Sequence, residues 1–243
     1  MIHHARQGQV SAGEAIGILL LDTCVPFIPG DVANATTYSF PVRFQKVEGF
    51  TVARALDKDP TVFDDLLIAA KSLVQQGVRA ITGDCGFMGI HQRKLAQALD
   101  VPVFLSSLIQ IPFISCLIGP DAKVGVITAD SKSLNADLLA AVGISDVSNV
   151  IVAGLEDQPN FYRFAIEETG VLDTKAVEME VVSVGRQMVA DHRQVRAILL
   201  ECSLIPPYSA AIQAAVNLPV FDYITMINFV FSAVVKQKYM GFI

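Results

Sequence analysis

The sequence predicts an α/β protein of two pseudo-symmetric lobes, each a mostly parallel sheet flanked by helices, with the active site in the cleft between them. Three observations lead there. The stretch Val78-Arg79-Ala80-Ile81-Thr82-Gly83-Asp84-Cys85 returns as Val195-Arg196-Ala197-Ile198-Leu199-Leu200-Glu201-Cys202, 117 residues later, and each cysteine is followed after 17 residues by the same tripeptide, Pro102-Val103-Phe104 and Pro219-Val220-Phe221. Such self-similarity means that one structural unit has been used twice. Each half also opens on an apolar run of the form branched residue, Gly, branched residue, ending on an acid and a hydroxyl residue: Asp22-Thr23 and Asp130-Ser131. Finally, short apolar runs alternate with stretches of helical periodicity, the pattern of βαβ units and parallel sheets.

The elements follow in order. Residues 1–14 are polar and read as a surface arm. The continuous apolar run 16–21 is a central parallel strand. Pro26, Pro29-Gly30-Asp31 and Asn34 mark a long loop, and Pro41-Val42-Arg43-Phe44 a short strand. Helical spacing of Val62, Leu66, Leu67, Ala70, Leu73 and Val74 predicts a helix over 61–76, stopped by Gly77. A strand into Cys85, a helix through Leu95 and Leu99, a strand at 103–105 and an apolar helix to about Leu117 complete the first lobe. The second runs through a strand at 124–129, a helix at 133–141, a strand at 150–152, a helix at 177–190 and a strand at 197–200. A final helix, 224–235, packs back on a sheet face. The first lobe is thus 1–118, joined by 206–243, and the second 119–205. In parallel sheets ligands bind beyond the carboxyl ends of the strands, where Asp22, Cys85, Asp130 and Cys202 all fall.

Composition narrows the partners. Lys and Arg number 18 against 24 Asp and Glu, a net charge of −6 without a basic run, which argues against nucleic acid or an anionic membrane surface. The uncharged stretch 101–120 is interrupted by Pro102, Ser106, Ser107, Gln110 and Pro112, so it reads as a strand and a helix rather than a membrane span. The opening residues lack the pattern of a signal peptide. Cysteines 24, 85, 116 and 202 have no metal or disulfide spacing, which suits a reducing, cytoplasmic setting. His3-His4 is a weak metal signal, and His91 and His192 read as solvated helix positions. A small-molecule substrate is expected, with no metal and no cofactor; homo-oligomer formation stays open.

The repeat sets two cysteines on opposite walls of the cleft. A small acid bound between them would have one sulfur on each side of its carbon skeleton: one thiolate removes a proton and the opposite thiol returns one. The helix amino terminus after each cysteine is expected to lower the thiol pKa. Asp84 and Glu201 would oppose that, but neighbouring side chains of a strand point to opposite faces, so these acids read as partners of loop amides ahead of a catalytic role. Cys24 and Cys116 lack counterparts in the repeat and read as small buried apolar residues. Gly83, Gly86 and Gly89 read as tight turning around Cys85. Thr128, Ser131 and Ser133 either bind a carboxylate or cap the next helix. Arg43 is a candidate for bidentate carboxylate binding, against a plain surface role.

With these residues in place the chain resembles the aspartate/glutamate racemase superfamily, which includes hydantoin racemases, over nearly its whole length after residue 14. The marks are Asp22-Thr23, Gly83-Asp84-Cys85-Gly86, Leu200-Glu201-Cys202-Ser203 and Pro219-Val220-Phe221-Asp222. The resemblance implies Cys85 and Cys202 as an acid/base pair working without pyridoxal phosphate, with Asp22 and Ser203 beside the substrate. Thr23, Arg43, Gly86, Phe87 and Thr128 complete the expected substrate shell. The chain departs from the family at Gly86-Phe87, where glutamate and aspartate racemases carry Asn-Thr, and at Leu204, where they carry His or Glu, so a less polar substrate is expected. The leading expectation is a cofactor-independent isomerase, a racemase or epimerase of an amino acid or hydantoin. The alternatives are a cis-trans isomerase or decarboxylase of a small diacid on the same fold, and a non-catalytic small-acid binding protein.

Overall fold

The computed structural model describes residues 2–4 and 7–243; Met1, Ala5 and Arg6 of the expected surface arm lie outside them. Strands β1 (Ile16–Leu20), β2 (Val42–Lys46) and β3 (Ala80–Gly83) form a parallel sheet in the order β2-β1-β3. Strands β4 (Lys123–Thr128), β5 (Val150–Gly154), β6 (Val195–Leu200) and β7 (Val220–Phe221) form a second, in the order β5-β4-β6-β7. Val103 bridges Ile81 in parallel at the place corresponding to β7, so the two sheets share one plan.

The two central strands are buried on both faces, which is why β1 and β4 are nearly unbroken in apolar residues. The glycine that both strands carry has a packing reason. A side chain at Gly17 would bring its Cβ to 2.9 Å from Leu73 Cδ1, and one at Gly125 would overlap Met188. Helix Phe63–Gln75 therefore lies close on β1, and helix Thr174–Asp191 close on β4. Gly77, at φ +98°, stops the first of these helices in the left-handed turn the sequence anticipates.

Several boundaries move for local reasons. Asn135 caps helix Ala136–Ala141 through Leu138 N–H, while Ser133 is drawn into a turn on Asp130; the helix therefore starts three residues after the expected 133. The strand expected at 103–105 is cut to one bridge, because Ser106 caps a tight turn at Ser107–Gln110 that leads into helix Ile111–Ile118. The segment 206–243 divides. Helix Ser209–Val216 and β7 stay with the second sheet, and helix Tyr223–Val234 crosses to the first. No helix among the described residues is long and apolar enough to cross a membrane.

The crossing helix covers the outer face of the first sheet: Tyr223, Met226 and Ile227 pack on Ile16, Ile18 and Ala80, and Phe231 stacks on Phe40. Tyr223 is fully buried and donates its O–H to Leu105 O at 2.7 Å. Replacing it by Phe keeps the ring and leaves that carbonyl short of a partner, so Tyr223→Phe should lower stability by about 1–2 kcal/mol. Urea unfolding should show a lower midpoint at unchanged slope; an unchanged midpoint would mean that the hydroxyl does not anchor the helix.

Candidate active site

The site stands at the carboxyl ends of the strands, where β3 runs into Asp84-Cys85 and β6 into Glu201-Cys202. Each acid is tied to the central strand of its own sheet. Asp84 N–H donates to Leu19 O at 3.0 Å, and its Oδ1 accepts from Leu21 N–H at 3.0 Å. Glu201 N–H donates to Ile127 O at 2.8 Å, and its Oε2 accepts from Thr128 Oγ1 at 2.8 Å. Across the seam between the lobes, Ser203 donates its hydroxyl to the Asp84 carbonyl and Ser107 donates to Leu200 O at 2.9 Å. Gly86 closes the contact: a Cβ there would overlap the Glu201 carboxyl. Only glycine lets the backbone approach so closely.

Between these strand ends lies a cavity with an empty volume of about 540 Å3, open solvent at its mouth included. Cys85, Cys202, Thr23, Gly86, Phe87 and Ser203 all line it, as do Asp84 and Glu201. Its apolar walls come from Leu21, Val25, Phe27, Val52, Leu56, Ala129, Ala165, Ile166 and Leu204. Two acids are among its lining residues, and none of these residues is Lys, Arg or His.

Burial governs the electrostatics. It pushes Asp84 and Glu201 each up to about 7, against the hydrogen bonds that favour their ionised forms. Glu201 Oε1 is buried without a hydrogen-bond partner. Both thiols are raised, not lowered: burial acts first on Cys85, then Glu201 and Asp84, against amides of Phe87 and Met88. Cys202 is raised by burial and then by Glu201, with one opposing amide, that of Leu204. The expected lowering by a helix terminus is thus overturned, because amides at the start of a short turn do not outweigh burial and a neighbouring carboxyl. Asp31, in the Pro29-Gly30-Asp31 loop, is buried as well and is pushed up to about 8 by burial, with the Ala33 amide opposing and Asp84 adding.

Three expected substrate contacts lie elsewhere. Arg43 sits toward the amino end of β2, away from the cavity, bound to Glu14 at 3.0 Å and to Ser11 and Gln76. Asp22 turns outward to Lys46 at 3.3 Å and to Gly49 N–H at 3.1 Å, which hold its carboxyl below the usual range. Thr128 is one layer behind the wall and acts on Glu201. Ser131 binds Glu156, which removes it from the cavity.

Cys24 and Cys116 are exposed, contrary to expectation, because a loop and the outer side of a helix carry them. His91 is buried between Phe50 and Phe63 rather than solvated, and burial pushes it down to about 4. Among the described residues no group of three or more His, Cys, Asp or Glu side chains is arranged to hold a metal. Wall residues 52 and 56 come from helix Val52–Leu56, and 165 and 166 from the end of helix Pro159–Ala165, two helices the sequence reading did not anticipate. Pro159 at a helix start was the available signal for the second.

No family model matches the chain. Among curated proteins it is similar to dimethylsulfoniopropionate lyase of Durusdinium sp. clade D, 31% identical over 93% of this chain and 77% of that protein. It is also 32% identical to dimethylsulfoniopropionate lyase 3 of Emiliania huxleyi (strain CCMP1516), over 93% of this chain but only 61% of that protein's length. Solved structures of similar fold include unliganded arylmalonate decarboxylase, with TM-score 0.56, 14% identity and coverage of 93% and 94% of the two chains. Glutamate racemase RacE1 of Bacillus anthracis superposes with TM-score 0.57 at 12% identity, covering 92% and 85%. These likenesses bear out the fold. The expected isomerase class is corrected by the lyase relatives. The chain belongs to the family of the dimethylsulfoniopropionate lyases, on the fold of the aspartate/glutamate racemase superfamily.

Proposed function

We propose that this protein is a lyase that cleaves dimethylsulfoniopropionate, or a close sulfonium carboxylate, by β-elimination, with one sulfur of the cysteine pair as the base. The observation that carries this reading is the charge pattern of the cavity: two acids, two thiols, apolar walls and no cationic side chain. A sulfonium centre is a cation wrapped in methyl groups, and it suits that lining on both counts. Phe27 and Phe87 are among the lining residues, and an aromatic ring attracts a cation. A malonate-like diacid would instead bring two negative charges to Asp84 and Glu201, so decarboxylation of a diacid fits less well.

A thiolate takes the proton from the carbon next to the carboxylate. The electrons of that C–H bond form the carbon–carbon double bond, and the bond from the next carbon to sulfur breaks. Its electron pair leaves on dimethyl sulfide, and acrylate remains. The thiol then releases its proton to solvent. Cys85 is the better placed sulfur, since two amides favour its thiolate against one for Cys202. The high thiol pKa is answered by the substrate. A unit positive charge about 4 Å away favours the thiolate by about 4 kcal/mol at an effective dielectric of about 20, close to three pKa units. Thiolate and cation therefore assist each other, and a bound substrate lowers the cost of forming the base.

The direct test is release of dimethyl sulfide and acrylate from dimethylsulfoniopropionate by the purified chain, followed by gas chromatography. Cys85→Ser should lower turnover by at least about a hundredfold and Cys202→Ser by less, while the melting temperature holds in both. Full turnover in Cys85→Ser would remove it as the base, and no product from the native chain would refute the assignment.

The buried acids make a further prediction. A folded carboxyl at about 7 binds a proton that the unfolded chain, at 4.5 for Glu201, has already lost, so stability falls as pH rises between those values. Cation binding needs the ionised acids, so kcat/KM should rise through pH 7. Glu201→Gln should flatten the stability profile over that window by on the order of 3 kcal/mol and raise KM. Parallel profiles in urea titrations of the two proteins would show that Glu201 carries no such burden.

A further inference from the structure

The cavity wall is completed by a crossing contact on the side of its mouth. Helix Pro159–Ala165 of the second lobe ends against the cavity, where Ala165 and Ile166 form part of the lining. Two residues on, Glu168 sits at φ +52°, a left-handed conformation that a side chain adopts only with strain. That turn sends its carboxylate across to the first lobe. Its Oε1 accepts from the Thr23 hydroxyl and from Cys24 N–H, the latter at 2.9 Å. Thr23 itself lines the cavity. One carboxylate thus ties the loop after β1 to the loop that carries Ile166, joining two parts of the cavity wall.

We propose that Glu168 is a positioning residue, a clasp whose bond to Thr23 and Cys24 holds Ile166 over the bound substrate and opens for entry and exit. The backbone holds the loop ready for this role: Glu167 N–H donates to Tyr162 O at 3.0 Å and Thr169 N–H to Arg163 O at 3.2 Å, so the left-handed turn at Glu168 ends the helix and aims its carboxylate at the first lobe. A charged acceptor with two donors is strong enough to hold the wall, and its position near solvent lets water replace those donors when it opens. The turnover part of this inference rests on the lyase reading; the closure of the cavity does not.

Closure is tested first without any substrate. In the native chain the cavity thiols should react slowly with a bulky maleimide, while Cys24 and Cys116 react fast; peptide mass mapping separates the four. In Glu168→Gly, which keeps the left-handed backbone without strain, modification of Cys85 should accelerate on the order of tenfold. Thr23→Val, which removes one of the two donors and leaves the Cys24 amide, should accelerate it less, as should Glu168→Gln. Equal Cys85 rates in the native chain and all three variants overturn the clasp, whatever the protein's reaction. With dimethylsulfoniopropionate, Glu168→Gly should raise KM and lower kcat, and Glu168→Gln should partly restore both. A lower KM in Glu168→Gly would overturn the proposal in another way, since it would mean that the substrate's own carboxylate takes the two donors from Glu168.

Discussion

Everything about the site depends on the seam where the ends of β3 and β6 meet, and that seam is held at the level of the backbone. The Asp84 carbonyl accepts from Ser203, the Leu200 carbonyl from Ser107, and Gly86 lies against the Glu201 carboxyl with no room for a Cβ. Backbone contacts of this kind fix two rigid sheets more firmly than long side chains can, because there are few rotatable bonds to order. Cys85 and Cys202 each follow directly on an acid pinned to its central strand. Their separation is therefore set by the sheets.

The same seam is costly in electrostatic terms. Asp84, Glu201 and Asp31 are all buried, and each is raised into the range of neutral pH by that burial. Hydrogen bonds from Leu21, Thr128 and Ala33 offset part of the desolvation but leave Glu201 Oε1 unpartnered. A fold selected only for stability would fill such a place with apolar side chains. Buried groups that repel one another and lack a counter-charge are the kind of local conflict that marks a functional site. A bound cation resolves it, neutralising the acids and favouring a thiolate at once.

The sheets, the long helices and the two cysteines were legible because the physics behind them repeats along the chain. Continuous apolar runs need two covered faces, Gly77 needs a left-handed turn, and a repeated Val-Arg-Ala-Ile leading to an acid and a cysteine needs the same strand end twice. The cavity walls were less legible, since they come from short pieces. Helix Val52–Leu56 has five residues and helix Pro159–Ala165 seven, too short for periodicity to stand out. Arg43 and Asp22 misled for a related reason: residue type suggested a carboxylate or amine contact, while side-chain direction, set by position along β2 and by the turn after β1, sends both to local partners. The raised thiols were unforeseen because the sequence displays an acid beside each cysteine but not the depth at which both are buried.

The pseudo-symmetry of the scaffold is broken where the chemistry would occur. The first sulfur has two amides at hand and the second has one, and Glu201 ranks next after burial in raising both sulfurs. A reaction that takes a proton from one face and returns it to the other needs two sulfurs of comparable standing. An elimination needs one base only, since the electrons leave with the departing sulfide and no proton is returned. For that reaction the second sulfur is free to serve as a neutral thiol against the substrate, and the acid beside it to face the cation. A duplicated frame whose halves have diverged at the acid, at the amides and at the residues after each cysteine fits a one-sided step better than a symmetric one.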